Sequence, residues 1–148
     1  MKPEPDSPQE LKARALRYLV RREHSRDELA RKLAPYAESN EILEGVLREL
    51  ESRKQLSNER FAEERARWLA RKYGAARIRH DLKTKGISEA VSDRAVAELD
   101  DMAKAKEILA RKYREPATTR EERAKRARFL QGRGFSSDII RRLVLRDD

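Results

Sequence analysis

The chain has no cysteine, which excludes a disulfide framework, thiolate metal ligation and thiol catalysis, and points to a reducing cytosol as its setting. It has two histidines, His24 at an expected helix end and His80 between Arg79 and Asp81. Their spacing fits no zinc or general-base arrangement, and each reads as a surface or capping residue. Five glycines form no phosphate-cradling GxxxxGKS or GxGxxG loop. No apolar run approaches membrane-spanning length and the N-terminus lacks the apolar segment of a signal peptide, so a cytoplasmic protein without a membrane partner is expected. The carboxylate pairs Glu63-Glu64 and Glu121-Glu122 lie in arginine-rich helical stretches, where ion pairs along the helix explain them better than acid/base chemistry. The sequence therefore reads as a binding protein, not an enzyme, with no catalytic residue, no cofactor and no metal.

Charge is what the chain has in abundance. Charged residues make up 43 % and hydrophobic residues 38 % of its 148 positions, with a net charge of +9. That is thin for one deep core and suits several shallow ones. The cations are unevenly placed: 10 Lys and Arg face 10 Asp and Glu in residues 1–50, 12 face 9 in 51–100, and 14 face 8 in 101–148. A bias that grows toward the C-terminus suggests a polyanion or an acidic protein surface as partner, against the alternative of a merely solvated surface.

The apolar residues repeat. In the stretch Gly74 to Leu99, Ile78 and Leu82 share a helical face, Gly86 supplies the positive φ that ends a helix, Ser88 caps the next, and Val91, Ala95 and Leu99 continue at four-residue spacing. Ile87 seals the corner of this helix-turn-helix-like pair. Forty-eight residues on, Leu130, Gly134, Phe135, Ser136, Ile139 and Leu143 repeat the pattern without a gap; forty-nine residues back, Leu29, Leu33, Ile42, Val46 and Leu50 repeat it with a looser corner, Pro35 to Asn40, in place of the glycine. A further helix precedes each pair, marked by LVRRE at Leu19 to Glu23 and by LARKY at Leu69 to Tyr73 and again at Leu109 to Tyr113. The expected architecture is all-α: three tandem three-helix, helix-turn-helix-like repeats in an elongated, curved arrangement. The expected divisions are a disordered tail at 1–7 and repeats at 8–54, 55–100 and 101–148.

Caps and stripes fill in the rest. Ser7 with Glu10, Ser25 with Glu28, and Thr119 with Glu122 have capping-box spacing; Ser39 or Asn40, Ser57 or Asn58, and Ser136 are further helix starts. Leu11, Ala15, Tyr18 and Leu19 form the first apolar stripe, and Phe61, Ala62, Ala66, Trp68, Leu69 and Tyr73 lie on what is expected to be the longest helix, ended by Gly74. Trp68 reads as a core anchor more readily than as a stacking platform for a base. Met102, Ala105, Ile108 and Leu109 open the third repeat, and Pro116 breaks the chain before a helix carrying Ala124, Ala127, Phe129 and Leu130. In the last helix Ile139, Ile140 and Leu143 point inward, Arg141, Arg142 and Arg146 outward.

Two groups of cations occupy corresponding places in the second and third repeats. Arg77, Arg79, Lys83 and Lys85 lie near the helix from Gly74 to Gly86, and Arg123, Lys125, Arg126, Arg128 and Arg133 near its counterpart. Together they form a candidate basic strip that would contact phosphates without reading bases. The competing reading is a row of ordinary helix faces with i,i+4 pairs such as Asp81 with Lys85.

The segments ALRYLVRREHSRDELARKL at Ala15 to Leu33, the Arg77-Ile78, Leu82 and Lys85-Gly86-Ile87 pattern, and ARFLQGRGF at Ala127 to Phe135 resemble the RecX family of recombinase regulators. The resemblance covers about Ala15 to Leu145. It implies a curved monomer lying in the groove of a RecA filament on single-stranded DNA, inhibiting strand exchange, ATP hydrolysis and co-protease activity. Its partners would be the RecA filament and, through it, single-stranded DNA, with room for weak direct binding to DNA. Under it Arg22, His24 and Arg26 join the basic strip as candidate filament- or DNA-binding residues. A short N-terminal tail separates this chain from relatives with longer ones. The alternatives are a helix-turn-helix regulator of transcription on duplex DNA, although no single recognition helix stands out and few Asn or Gln are placed to read bases, and a scaffold for acidic proteins.

Overall fold

The structure, a computed structural model, describes residues 3–145. The described residues form nine α-helices: α1 (Pro8–Arg21), α2 (Arg26–Leu33), α3 (Asn40–Ser52), α4 (Asn58–Leu69), α5 (Ala75–Thr84), α6 (Glu89–Val96), α7 (Asp101–Lys112), α8 (Arg120–Gly132) and α9 (Ser137–Ile140). A 3-10 turn over Ala34–Tyr36 carries Pro35 beyond α2, and a π-helical turn, Arg141–Leu145, extends α9. No strand occurs among the described residues.

The helix starts follow from short polar side chains that accept orphan backbone N–H groups. Ser7, Ser25, Ser39, Ser57, Ser88, Asp100, Thr119 and Ser136 each accept from the residue three positions on. At Ser7 the box is reciprocal, since Glu10 accepts from the Ser7 N–H at 2.9 Å. At Thr119 it is displaced by one residue, because the Glu122 carboxylate accepts from the Thr118 N–H instead, at 2.7 Å.

The helices gather in threes around three separate cores. Leu11, Ala15, Leu29, Leu33, Leu43, Val46, Leu47, Leu50 and Leu56 form the first. Phe61, Ala62, Ala66, Leu69, Ile78, Leu82, Ile87 and Val96 form the second, with Val91, Ala95 and Leu99 packed against them; Ala105, Ile108, Leu130, Phe135, Ile140 and Val144 form the third. Division into small cores leaves much surface. The accessible area is 10252 Å², whereas a compact monomer of this 17.3 kDa mass would expose about 7,800 Å².

Consecutive units are joined by a repeated device. Gly86 and Gly134 both have positive φ, 80° and 90°, which turns the chain sharply after α5 and α8. Each also presses on the first turn of the second helix in the preceding unit: Gly86 lies against the Asp27 carboxylate, and a Cβ on Gly134 would come within 2.8 Å of the Arg77 backbone nitrogen. At the first junction Asn58 Oδ1 accepts from the Arg26 N–H at 2.8 Å and Arg60 pairs with Glu23 at 2.8 Å. At the second, the Gly74 N–H donates to the Arg133 carbonyl at 2.7 Å, and the Asp101 carboxylate accepts from the Ala75 N–H at 3.1 Å. Asp101 thereby caps α5, whose own N-cap, Gly74, has no side chain to do so.

Several expectations are corrected. Trp68 is 59 % exposed, because the 100° step per residue turns it away from the face of Ala62, Ala66 and Leu69. Helix α4 stops at Leu69 and is shorter than α1, 12 residues against 14; Lys72 and Tyr73 both donate to the Leu69 carbonyl in a closing turn. His24 is 1 % exposed and so is no surface residue. Asp81 pairs across to Arg65 at 2.9 Å rather than along α5 to Lys85. Glu63, Glu64 and Glu121 make no helical ion pair among the described residues. The segment before α1 is held at Asp6, whose N–H donates to the Tyr36 carbonyl at 2.8 Å and whose carboxylate pairs with Arg14 at 2.8 Å. Arg146 lies outside the described residues.

Candidate nucleic-acid interface

The cations proposed from sequence fall into three groups once they are placed on this scaffold. Those of the first unit are neutralised internally. The Arg22 guanidinium makes paired hydrogen bonds to the Glu28 carboxylate, at 3.0 and 2.7 Å. Arg26 spans Glu44 and Glu51, and those two carboxylates hold it protonated well above the usual arginine range. His24 is buried between the Arg22 carbonyl, 3.1 Å from Nδ1, and Lys32 Nζ, 2.9 Å from Nε2. An ammonium has no lone pair to offer, so Nε2 accepts from Lys32 and Nδ1–H donates to Arg22. Burial pushes the His24 pKa down, and a second proton would face Lys32.

The second group is engaged within the fold, with Arg77 and Arg133 at the junction between the second and third units. Arg77 Nη1 donates to the Gly132 carbonyl at 2.6 Å and Arg133 Nη1 to the Lys72 carbonyl at 3.3 Å. Both guanidiniums lie over the Tyr73 ring, 4.6 and 5.5 Å from its centroid. Arg126 ties down the connector that follows α7, donating to the Glu115 carbonyl at 2.7 Å while lying 4.3 Å from the Tyr113 ring centroid. Arg123 is partly buried on α8.

The third group is free to meet a partner. Arg79 and Lys83 on exposed positions of α5, Lys85 at its end, and Lys125 and Arg128 on exposed positions of α8 have no acidic partner among the described residues. Thus, of the cations proposed from sequence, the ones left without an acidic partner belong to the second and third units.

The structure adds a groove that the sequence reading missed. It encloses about 500 Å³ at the second junction, lined by Arg65, Trp68, Arg71, Lys72, Tyr73, Arg77 and Arg111, with Asp81 as its acidic member. Hydrogen bonds of 2.9 and 3.1 Å to Asp81 fix Arg65 and hold its guanidinium protonated above the usual range. Arg111 is paired with Glu107 at 2.6 Å. The signal was present in the sequence: the two LARKY segments supply Arg71, Lys72, Tyr73 and Arg111, although their repetition reads first as a helix marker. Among the described residues no cluster of His, Cys, Asp or Glu is arranged to hold a metal ion, and no helix is long and apolar enough to cross a membrane.

Comparison with known proteins places this scaffold. Residues 57–96 match the family model of the second three-helix domain of RecX, and residues 99–144 that of the third. The chain is 45 % identical over 142 residues to the regulatory protein RecX of Ralstonia nicotianae, covering 95 % of this chain and 89 % of that one. It is 48 % identical over 139 residues to the regulatory protein RecX of Herbaspirillum seropedicae, covering 93 % and 90 %. In fold it is similar to the crystal structure of RecX from Lactobacillus salivarius, with a TM-score of 0.82, 23 % identity and coverage of 93 % and 94 %.

Proposed function

The chain belongs to the RecX family, and from that premise we propose that it regulates homologous recombination by lying in the groove of a RecA filament on single-stranded DNA. There it inhibits strand exchange, ATP hydrolysis and co-protease activity. The observation that carries the reading is the joining of three units by repeated glycine contacts, with unpaired cations on the second and third. A 12-residue helix is about 18 Å long, so units stacked in series have the reach to bridge neighbouring subunits of a polymer. A bridge opposes the subunit motions that strand exchange and ATP turnover require. Arg79, Lys83, Lys85, Lys125 and Arg128 are the contacts with a polyanion or acidic rim, whereas Arg77 and Arg133 keep the second and third units in line and Arg126 holds the connector within the third. Arg22, His24 and Arg26 act through the shape of the first unit.

A titration across salt tests this. The protein is bound to preformed RecA filament, bare single-stranded DNA and duplex, with ATP turnover followed in parallel. Tightest, stoichiometric binding to the filament with falling ATP turnover is the expected result. Equal affinity for bare duplex would overturn it in favour of a helix-turn-helix regulator of duplex DNA.

A further inference from the structure

Trp68 is the single tryptophan of the chain, and it stands 59 % exposed on the wall of the groove between the second and third units. Leaving so large a ring in water forgoes the burial free energy that the neighbouring residues of α4 obtain. It does not complete its own core, which Phe61, Ala62, Ala66 and Leu69 fill. It also walls a second, smaller depression of about 210 Å³ on its other side, with Phe61 and Arg22, so the indole is a ridge between two hollows. Its neighbour Arg65, 5.4 Å from the ring centroid, is fixed by Asp81. Beside it Arg71 and Lys72 are exposed and have no acidic partner among the described residues, in contrast to Arg65 and Arg111.

We propose that this groove is a stacking site for single-stranded nucleic acid, in which a base lies on the exposed indole of Trp68 and the flanking phosphates meet Arg71 and Lys72. An aromatic face beside unpaired cations is the pair of features that sequence-tolerant binding of single strands requires. Duplex hides its base faces in the stack and leaves the indole without a partner. An acidic protein segment would use the cations and leave the ring unexplained. The proposal deepens the regulatory reading, on which it rests for the polymer concerned: the protein touches the strand itself as well as the recombinase around it.

Because Trp68 is the sole tryptophan, its emission reports on this site alone. Oligo(dT) titrated at low salt without recombinase should quench that emission saturably. Trp68→Ala should weaken binding, followed by anisotropy of a labelled oligonucleotide, about 5- to 150-fold, the equivalent of one stacked base. Trp68→Phe should recover much of the loss. Replacing Arg71 and Lys72 together by Ala should reduce the slope of log affinity against log salt by about 1.4, as two lost phosphate contacts require. Since Trp68 is exposed, circular dichroism of its variants should match the parent. Unchanged emission while anisotropy reports binding, full affinity in Trp68→Ala, or equal quenching by duplex would each overturn the proposal. Filament binding and ATP turnover measured separately keep the two readings apart. Suppressed turnover without oligonucleotide quenching sinks this site alone; quenching without any effect on the filament sinks the regulatory role alone.

Discussion

His24 shows what a single buried side chain imposes on the first unit. Its ring is 1 % exposed, donates to the Arg22 carbonyl and accepts from Lys32, and lies 6.1 Å from the Tyr18 ring. Burial is the main cause of its lowered pKa; the hydrogen bond to the Arg22 carbonyl opposes it, the charges of Arg22 and Lys32 add to it, and Glu28 opposes them. The unfolded chain therefore binds a proton that the folded chain refuses, and stability should fall as pH drops below 6.5 and through the lowered folded value. His24→Gln should flatten this part of the profile, read as the urea midpoint between pH 7.5 and pH 5. An identical slope in parent and variant would refute the assignment. At lower pH a second loss is expected. Glu28 and Glu44 are held below the usual carboxylate range, first of all by hydrogen bonds from Arg22 and Arg26. Their contribution is present above 4.5 and disappears as pH falls through the lowered values. Arg26→Ala leaves Glu44 and Glu51 without their shared cation. It should cost about 1 kcal/mol, a modest value because all three groups are partly exposed.

At the scale of the element, the turns between helices decide how units join. Gly86 and Gly134 share a left-handed backbone, yet their surroundings differ. A Cβ on Gly86 would meet the Asp27 side chain, whose carboxylate can rotate away, whereas one on Gly134 would meet the Arg77 backbone. Gly86→Ala should therefore cost about 1–2 kcal/mol, the strain of a Cβ in that conformation. Gly134→Ala adds an overlap that only movement of α5 against α8 can relieve. It should unfold at clearly lower urea and also disturb Trp68 emission, since Trp68 stands at that junction; equal losses at the two glycines would contradict the model of the junction. Removing the cap of α9 with Ser136→Ala should cost about 1 kcal/mol. The effect concentrates on a helix of four residues extended by a π-helical turn, and hydrogen exchange of Ile139 to Val144 would locate it there.

For the whole molecule, three small cores in series have a measurable consequence. A compact chain of 148 residues has a radius of gyration of about 15 Å. The excess accessible area implies a larger value in small-angle scattering, and a result at the compact value would show that the units fold back on one another. The same arrangement explains the charge economy of the surface. The first unit spends Arg22 and Arg26 on its own carboxylates, and the second spends Arg65 on Asp81 and Arg77 on the Gly132 carbonyl. Of the cations placed on the strip or in the groove, those left without an acidic partner lie on α5, at its end, on α8 and at the edge of the groove.

The helices, their caps and the threefold repeat are legible in the chain because they depend on neighbours within one or two turns: a serine before a stripe of leucines, or a glycine where φ must be positive. Which cations are free is not legible, because an ion pair such as Asp81 with Arg65 joins residues 16 apart in sequence and outcompetes the nearer Lys85. The burial of His24 and the exposure of Trp68 escape for a related reason. A helical stripe gives a direction with a tolerance of tens of degrees, and only the packing of one element on another turns direction into burial. Local chemistry determined the units; contacts between residues far apart in the chain decided which side chains they keep for themselves and which they offer to a partner.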